Sequence, residues 1–219
     1  MFRANFETEL AQLHQDIIDM GNYVNKAIKK SIQAYSERDI ELCREVIEND
    51  HVVNDMEKKI ESKCLWLIAK EQPLASDLRK ITTALKIATD MERIGDHAAD
   101  IAELTLKFAD KNSFSDSSHI LPMAAAAIEM TRSAVTAYVN SDIALAKSTE
   151  AKDDEVDRYF SLIKQELAEV FSREPQRMDN AVDFLLIAKY LERIADHAVN
   201  ICEWVHFSQT GEYKDTRIF

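Results

Sequence analysis

The chain has 219 residues, 46% of them hydrophobic, with only three glycines and three prolines. This composition excludes a disordered or loop-rich chain and favours long helices joined by short turns. A formal net charge of −12 repels nucleic acid and anionic lipid and attracts cations, so a basic protein surface or a metal ion is the natural partner.

The opening segment MFRANFETELAQ carries charges where a signal peptide needs an apolar core. No apolar run approaches the ~18 residues of a membrane span; Pro122 to Ala127 comes nearest. Cys43, Cys64 and Cys202 are widely spaced and form no Cys-x-x-Cys. They read as reduced, buried thiols of a cytoplasmic protein.

Phe6, Leu10, Leu13, Ile17, Met20 and Val24 recur at spacings of three and four, which predicts a first helix to about Tyr35. Asp39 is an N-cap for a second helix. Leu42, Val46, Val53, Met56, Ile60 and Leu67 carry that helix to about Glu71, where Pro73 ends it. A third helix holds Leu78, Ile81, Leu85, Ala88, Met91, Ile94, Ala98, Ile101 and Leu104. The polar segment from Asp110 to Ser118 (DKNSFSDSS) is a linker. The plan then repeats. A fourth helix covers about Ile120 to Val139, a fifth runs from the Asp142 cap to about Phe171, and Arg173-Glu-Pro-Gln-Arg177 turns the chain. The sixth runs from about Asp179 to Phe207, and Gln209-Thr-Gly211 ends it.

The two halves are copies. With a shift of 100, the segment from Ile87 to Glu103 matches that from Ile187 to Glu203. With a shift of 103, Ala34-Tyr35 matches Ala137-Tyr138, Asp39 matches Asp142, Asp50 matches Asp153, and Asn54 matches Asp157. The expected architecture is therefore all-α: two tandem three-helix bundles, residues 1–110 and 118–219, built from six long helices. A helix of about 30 residues is about 45 Å long, so the molecule is elongated.

The best-matched block between the halves is MERIGDHAADI, from Met91, against LERIADHAVNI, from Leu191; seven of the eleven positions are identical. Glu92, Asp96 and Asp100 are successive i, i+4 neighbours on one helical face. The second copy has Glu192, Asp196 and Asn200. These oxygens flank the apolar stripe and do not sit within it. Stacked carboxylates repel each other. Arg93 and Arg193 can offset that, and a bound cation can do so more strongly. A hard cation wants several oxygen ligands, and a neighbouring helix offers more: Asp50 with Asn54 in one half, Asp153 with Asp157 in the other. His97 and His197 lie roughly 100° round the helix from Asp96 and Asp196, which suits supporting or packing roles. Asp90 has Tyr190 as its counterpart and is left out of the ligand set. Trp66 and Trp204 read as core or interface residues. A structural arginine–carboxylate network is an alternative to a metal. The chain has no Gly-rich phosphate loop, no G-x-S-x-G, no H-E-x-x-H and no paired-cysteine zinc pattern.

The blocks MERIGDHAADIAE and LERIADHAVNICE, with SDLRKITTALKI before the first, resemble the PhoU family over nearly the whole chain. The resemblance implies two PhoU repeats whose E/D-x-x-x-D motifs hold metal ions, often as multinuclear clusters. Glu92 and Asp96 match one motif, and Glu192 and Asp196 the other. Asp100 and Asn200 continue each stripe, and Asp50, Asn54, Asp153 and Asp157 are partners from adjacent helices. Asn54 and Asn200 depart from an all-acid pattern and lower the charge of each site. Iron, zinc, manganese and magnesium are the candidate ions. The resemblance further implies a non-enzymatic, dimeric, cytoplasmic regulator of phosphate uptake and the phosphate-starvation response. Its partners would be the ATPase subunit of a phosphate ABC transporter and a phosphate-sensing histidine kinase, and it would meet the membrane only through them. Two other readings stand beside this one: a metal-independent acidic adaptor, and a ferritin-like di-metal oxidase. The oxidase would use Glu48-x-x-His51 and Glu203-x-x-His206, which fall at non-equivalent places in the repeats.

Overall fold

A computed structural model describes residues 2–108, 118–173, 178–213 and 216–217. The expected all-α plan of two three-helix repeats is present. In order the elements are α1 (Phe2–Glu37), α2 (Ile40–Glu48), α3 (Asp50–Glu71), α4 (Ala75–Phe108), α5 (Ile120–Asn140), α6 (Ile143–Glu150), α7 (Asp153–Arg173) and α8 (Met178–Thr210), then β1 (Glu212–Tyr213) and β2 (Thr216–Arg217). The short antiparallel β1–β2 pair is not expected from the sequence; it follows Gly211, whose φ of 80° ends α8. The linker residues 110–117 and the turn at 174–177 lie outside the described residues.

The connections between the first two helices of each repeat are built alike. Arg38 (φ 54°) and Ser141 (φ 51°) take the left-handed conformation. Asp39 N then donates to Ala34 O at 3.0 Å, and Asp142 N to Ala137 O at 2.9 Å. This closure satisfies carbonyls that a helix end leaves open. Both aspartates cap the next helix as expected: Asp39 accepts from Leu42 N at 3.0 Å and Asp142 from Leu145 N at 2.9 Å.

The middle helix of each repeat differs from expectation, because it is two segments. In the first repeat the break falls at Asn49 (φ −90°, ψ 1°), between α2 and α3. Asn and Asp are poor interior helix residues because their side chains compete for backbone groups. Here Asn49 Nδ2 donates to Glu45 O at 2.7 Å. Tyr23 of α1 donates its hydroxyl to Asn49 O at 3.3 Å. The second repeat breaks at Ala151 and Lys152. Asp50 and Asp153 thus become the first residues of new helices, where a negative charge meets free backbone N–H groups.

The most extensive helix contact is between α4 and α8, and α1 also touches α5. One buried apolar cluster takes residues from both repeats, including Ile28, Met91 and Ile94 from the first and Phe184, Leu191 and Ile194 from the second. The α1–α3 contact is pinned by Asp16, 3.0 Å from Lys59 Nζ and 3.5 Å from Lys63 Nζ. At the matching places of the second repeat His119 Nδ1 lies 2.8 Å from Glu166 Oε1. Acid and base have changed sides. The three cysteines are free and buried, and burial pushes their thiols up, to about 11 for Cys43 and about 12 for Cys64 and Cys202. Trp204 is half-buried and stacks on Tyr213 at 4.1 Å. Trp66 is not a core residue: it is 43% exposed, with Lys70 over its ring.

Helices α1, α4 and α5 converge at Gly21. A Cβ there would lie 2.8 and 2.9 Å from the two γ-carbons of Val135 and 3.3 Å from Met91 Cε. Turning the valine cannot relieve both. Gly21→Val should therefore lower stability by about 1–3 kcal/mol through overpacking. Adding Val135→Ala should restore part of the loss, read as the shift in urea midpoint.

Candidate metal centre

The stripe Ile87, Met91, Ile94, Ala98 and Ile101 is fully buried, so α4 is held on one side and its acids emerge at the edge of that contact. Glu92 retains 16% side-chain exposure and Asp96 30%. Packing of α3 against α4 depends on Gly95, where a Cβ would meet Val53 Cγ1 at 3.1 Å. This close approach brings the first turn of α3 to the acid face of α4.

The electrostatics show which groups meet. Asp50 is pushed above the usual carboxylate range by burial and then by the charge of Asp96, with Asp100 adding to it. Burial and then Asp96 likewise raise Glu92, with Glu57 and Asp50 contributing. In the second repeat burial lifts Asp153 to about 6, with Asp157, Asp196 and Glu192 adding to it. Asp196 is raised by burial and then by Glu192. Asp50 thus lies within electrostatic reach of Glu92 and Asp96, and Asp153 and Asp157 within reach of Glu192 and Asp196, while Asn54 touches Asp50. Glu57 is an addition; its counterpart is Phe160, so comparison of the repeats conceals it.

Buried oxygens without partners mark both places. Asp50 Oδ1, Asn54 Oδ1 and Asp153 Oδ1 are buried and make no hydrogen bond among the described residues. Asn54 Nδ2 reaches Asp50 Oδ2 at a long 3.4 Å. Among the described residues, no group of three or more His, Cys, Asp or Glu side chains is set to hold a metal ion.

Positive side chains offset part of this repulsion. Arg93 lies 3.4 Å from Glu92 and 3.2 Å from Asp96, as expected. Arg193 does not take the equivalent role. Lys189 pairs with Glu192 instead, and among the described residues Arg193 has no carboxylate partner.

Both histidines lie at the contact between the repeats, their rings 5.8 Å apart. His197 Nδ1 is 2.9 Å from Asp90 Oδ1, and Asn200 Nδ2 donates to the same oxygen at 3.2 Å. Asn200 therefore ties α8 to α4. The equivalent contact is different: His97 stacks on Tyr190 at 5.3 Å, and its Nδ1 is 3.2 Å from Asp100 Oδ2. Burial lowers the His97 pKa, so its ring is neutral near pH 7. Asp90, set aside because its counterpart is Tyr190, is a structural partner after all.

A carboxyl whose folded pKa lies above its unfolded value holds its proton more tightly when folded. Stability then falls as pH rises from the ordinary value of 3.8 to about 6 and stays low above that. Asp153→Asn should therefore raise the stability of chelator-treated protein at about pH 7. That gain should shrink to nothing by about pH 4, measured as urea midpoints at the two pH values.

Comparison with known proteins gives this arrangement a family. The PhoU domain model matches residues 17–105 and again 120–205. The phosphate-specific transport system accessory protein PhoU homolog of Clostridium acetobutylicum is 35% identical over 216 residues, covering 98% of this chain and 99% of its own. The Streptococcus pneumoniae homolog is 30% identical over 213 residues, 97% of this chain and 99% of its own. The crystal structure of the phosphate transport system regulatory protein PhoU from S. pneumoniae superposes with a TM-score of 0.90 at 29% identity, over 96% of this chain and 100% of that one. PhoU from Pseudomonas aeruginosa gives 0.90 at 30% identity, over 94% and 100%. With two PhoU domains in tandem and full-length similarity to these proteins, the chain belongs to the PhoU family.

Proposed function

We propose that the chain is a metal-binding regulator of phosphate uptake and of the phosphate-starvation response. It acts without catalysis, by contact with the ATPase subunit of a phosphate ABC transporter and with a phosphate-sensing histidine kinase. The family names of its relatives support the pathway. The observation that supports the metal is repeated twice. A helix that starts on an aspartate, Asp50 or Asp153, faces an acid pair, Glu92 with Asp96 or Glu192 with Asp196, and an oxygen of that aspartate is buried without a partner.

The residues fit a cation. Asp50, Asn54, Glu92 and Asp96, with Asp100 adjacent, would hold one centre; Asp153, Asp157, Glu192 and Asp196 would hold the other. All of these donors are oxygens, which favours Mg²⁺, Mn²⁺ or iron over Zn²⁺. Bound there, the ion would supply the positive charge that these half-buried carboxylates lack. The chain's own residues do the rest: α3 and α7 present their first turns, and Arg93 and Lys189 partly neutralise each face. No described helix is long and apolar enough to cross a membrane. The reading places the protein in the cytoplasm, as a homodimer, at the membrane only through its partners.

A metal-independent acidic adaptor is the second reading. It is favoured by the lack, among the described residues, of three such side chains already set around an ion. The di-metal oxidase has no such support, because Glu48 and His51 are both exposed at the α2–α3 break.

Elemental analysis of the purified protein separates the two readings. Under the metal reading it retains Fe, Mn, Zn or Mg, and Asp50→Asn with Glu92→Gln removes one repeat's share while Asp153→Asn with Asp196→Asn removes the other's. Metal-free protein that still captures the transporter ATPase in chelator would establish the adaptor. Under the metal reading chelator weakens that capture at least about tenfold, a change of ~1.4 kcal/mol.

A further inference from the structure

A cavity with mixed apolar and polar walls, Leu10 and Leu13 among them, lies away from the acidic faces. It has a volume of about 170 Å³ and sits where α1, the first turns of α4, the end of α5 and the end of α8 come together, so both repeats contribute to it. Its polar lining includes His14, Lys80, Thr83, Tyr138, Ser141 and Ser208, and among the described residues no Asp or Glu lines it.

Thr83 is the informative residue. Thr82, Thr105, Thr131 and Thr149 all turn their hydroxyls back to the carbonyl four residues earlier. Thr83 does not. It is fully buried, its Oγ1 has no hydrogen-bond partner among the described residues, and the residue lines the cavity. A buried hydroxyl without a partner is costly, and a bound ligand would remove that cost. Beside it stands the Tyr138 phenol, which burial pushes well above its ordinary range, so it stays protonated and can donate. The His14 ring lies 5.0 Å from the Tyr138 ring and narrows the wall.

We propose that this cavity binds a small tetrahedral oxyanion, with Lys80 supplying the charge and Thr83 and Tyr138 donating hydrogen bonds. The volume suits it: one water occupies ~30 Å³ of liquid, so an oxyanion and a few waters fit. Two features oppose an anion. Helix C-termini carry a partial negative charge of ~0.5, and α5 and α8 both end here. However, the carbonyls of Ala137, Tyr138 and Phe207 already accept from Asp142 N, Ser141 N and Gly211 N, which leaves the full charge of Lys80 dominant. Asp77 lies 3.7 Å from Lys80, in a loose contact with the lysine 60% exposed, and an entering anion can outcompete it.

The internal repeat supplies a control. The counterparts of Lys80 and Thr83 are Asn180 and Asp183, which would not hold an anion. The counterpart of Tyr138 is Tyr35, only 2% exposed and packed edge-on to Phe184 at 6.0 Å; the first repeat has Ala84 where the second has Phe184. Residues that fill the space in one copy leave it open in the other, and only the open copy carries the donors. The duplicated fold does not require the cavity.

The inference does not rest on the metal centres. Chelator-treated full-length protein is titrated calorimetrically with inorganic phosphate, sulfate and, as a neutral control, glycerol. Saturable phosphate binding at one site per chain is expected, with sulfate competing. Lys80→Gln and Thr83→Val should each weaken it at least about tenfold, and Asp77→Asn should strengthen it. Absence of phosphate binding, binding unchanged in both variants, or glycerol binding as tight as phosphate would each overturn the proposal. Should Thr83→Val fail to fold, the exposed Lys80→Gln decides.

Discussion

Helices α4 and α8 must each bury one side in the shared core, and the rest of the molecule is placed by that requirement. Each is more than thirty residues long, and each commits the stripe at positions 87, 91, 94, 98 and 101, or 187, 191, 194, 198 and 201, to complete burial. Burying isoleucine, leucine or methionine stabilises by about 1.5–3 kcal/mol per side chain. All of these positions except Ala98 and Ala198 carry such a residue, so the two stripes fix the orientation of both helices. The neighbouring positions then have no freedom. Glu92 and Asp96 must emerge at the edge of the contact, half in water. Whatever packs beside them, here the first turn of α3, must contend with their charge.

Duplication explains why the same device occurs twice, and its drift shows which parts a packing contact constrains. The α1–α3 pin keeps an acid and a basic side chain at its two positions but exchanges their order, Asp16 with Lys63 against His119 with Glu166. Attraction is indifferent to which helix carries which sign. Across the α4–α8 contact, an acid meets His197 on one side and an aromatic ring meets His97 on the other. The acid pairs keep their identity, position for position.

Features whose physics is local are legible in the amino-acid order alone. Asp39, Asp142, Pro73 and Gly211 act through chemistry confined to a turn, and they start or stop helices where local reasoning places them. The breaks at Asn49 and Lys152 are hidden because Val46 and Val53, seven residues apart, keep the apolar face continuous through the interruption. The facing of Asp50 and Glu92 is legible because the two repeats agree on it. The partnership of Asp90 with His197 and Asn200 is not, since it joins residues more than a hundred positions apart and depends on the antiparallel crossing of α4 and α8. Lys189 replaces Arg193 at Glu192 for a related reason: either residue lies within reach along the helix, and only side-chain placement chooses.

The break at Asn49 also divides the first repeat energetically. Segment α2 packs through Cys43 and Val46 onto Ala34 and Ala102, a small cluster separate from the main core. Its counterpart α6 joins the main core through Ala146. Nine residues whose buried side chains lie outside the main core form a unit that can open while α3 and α4 keep their places. The two repeats, so alike in outline, thus have different thresholds for local opening. Amide protons of α2 will exchange with solvent through an opening that leaves the rest of the bundle intact.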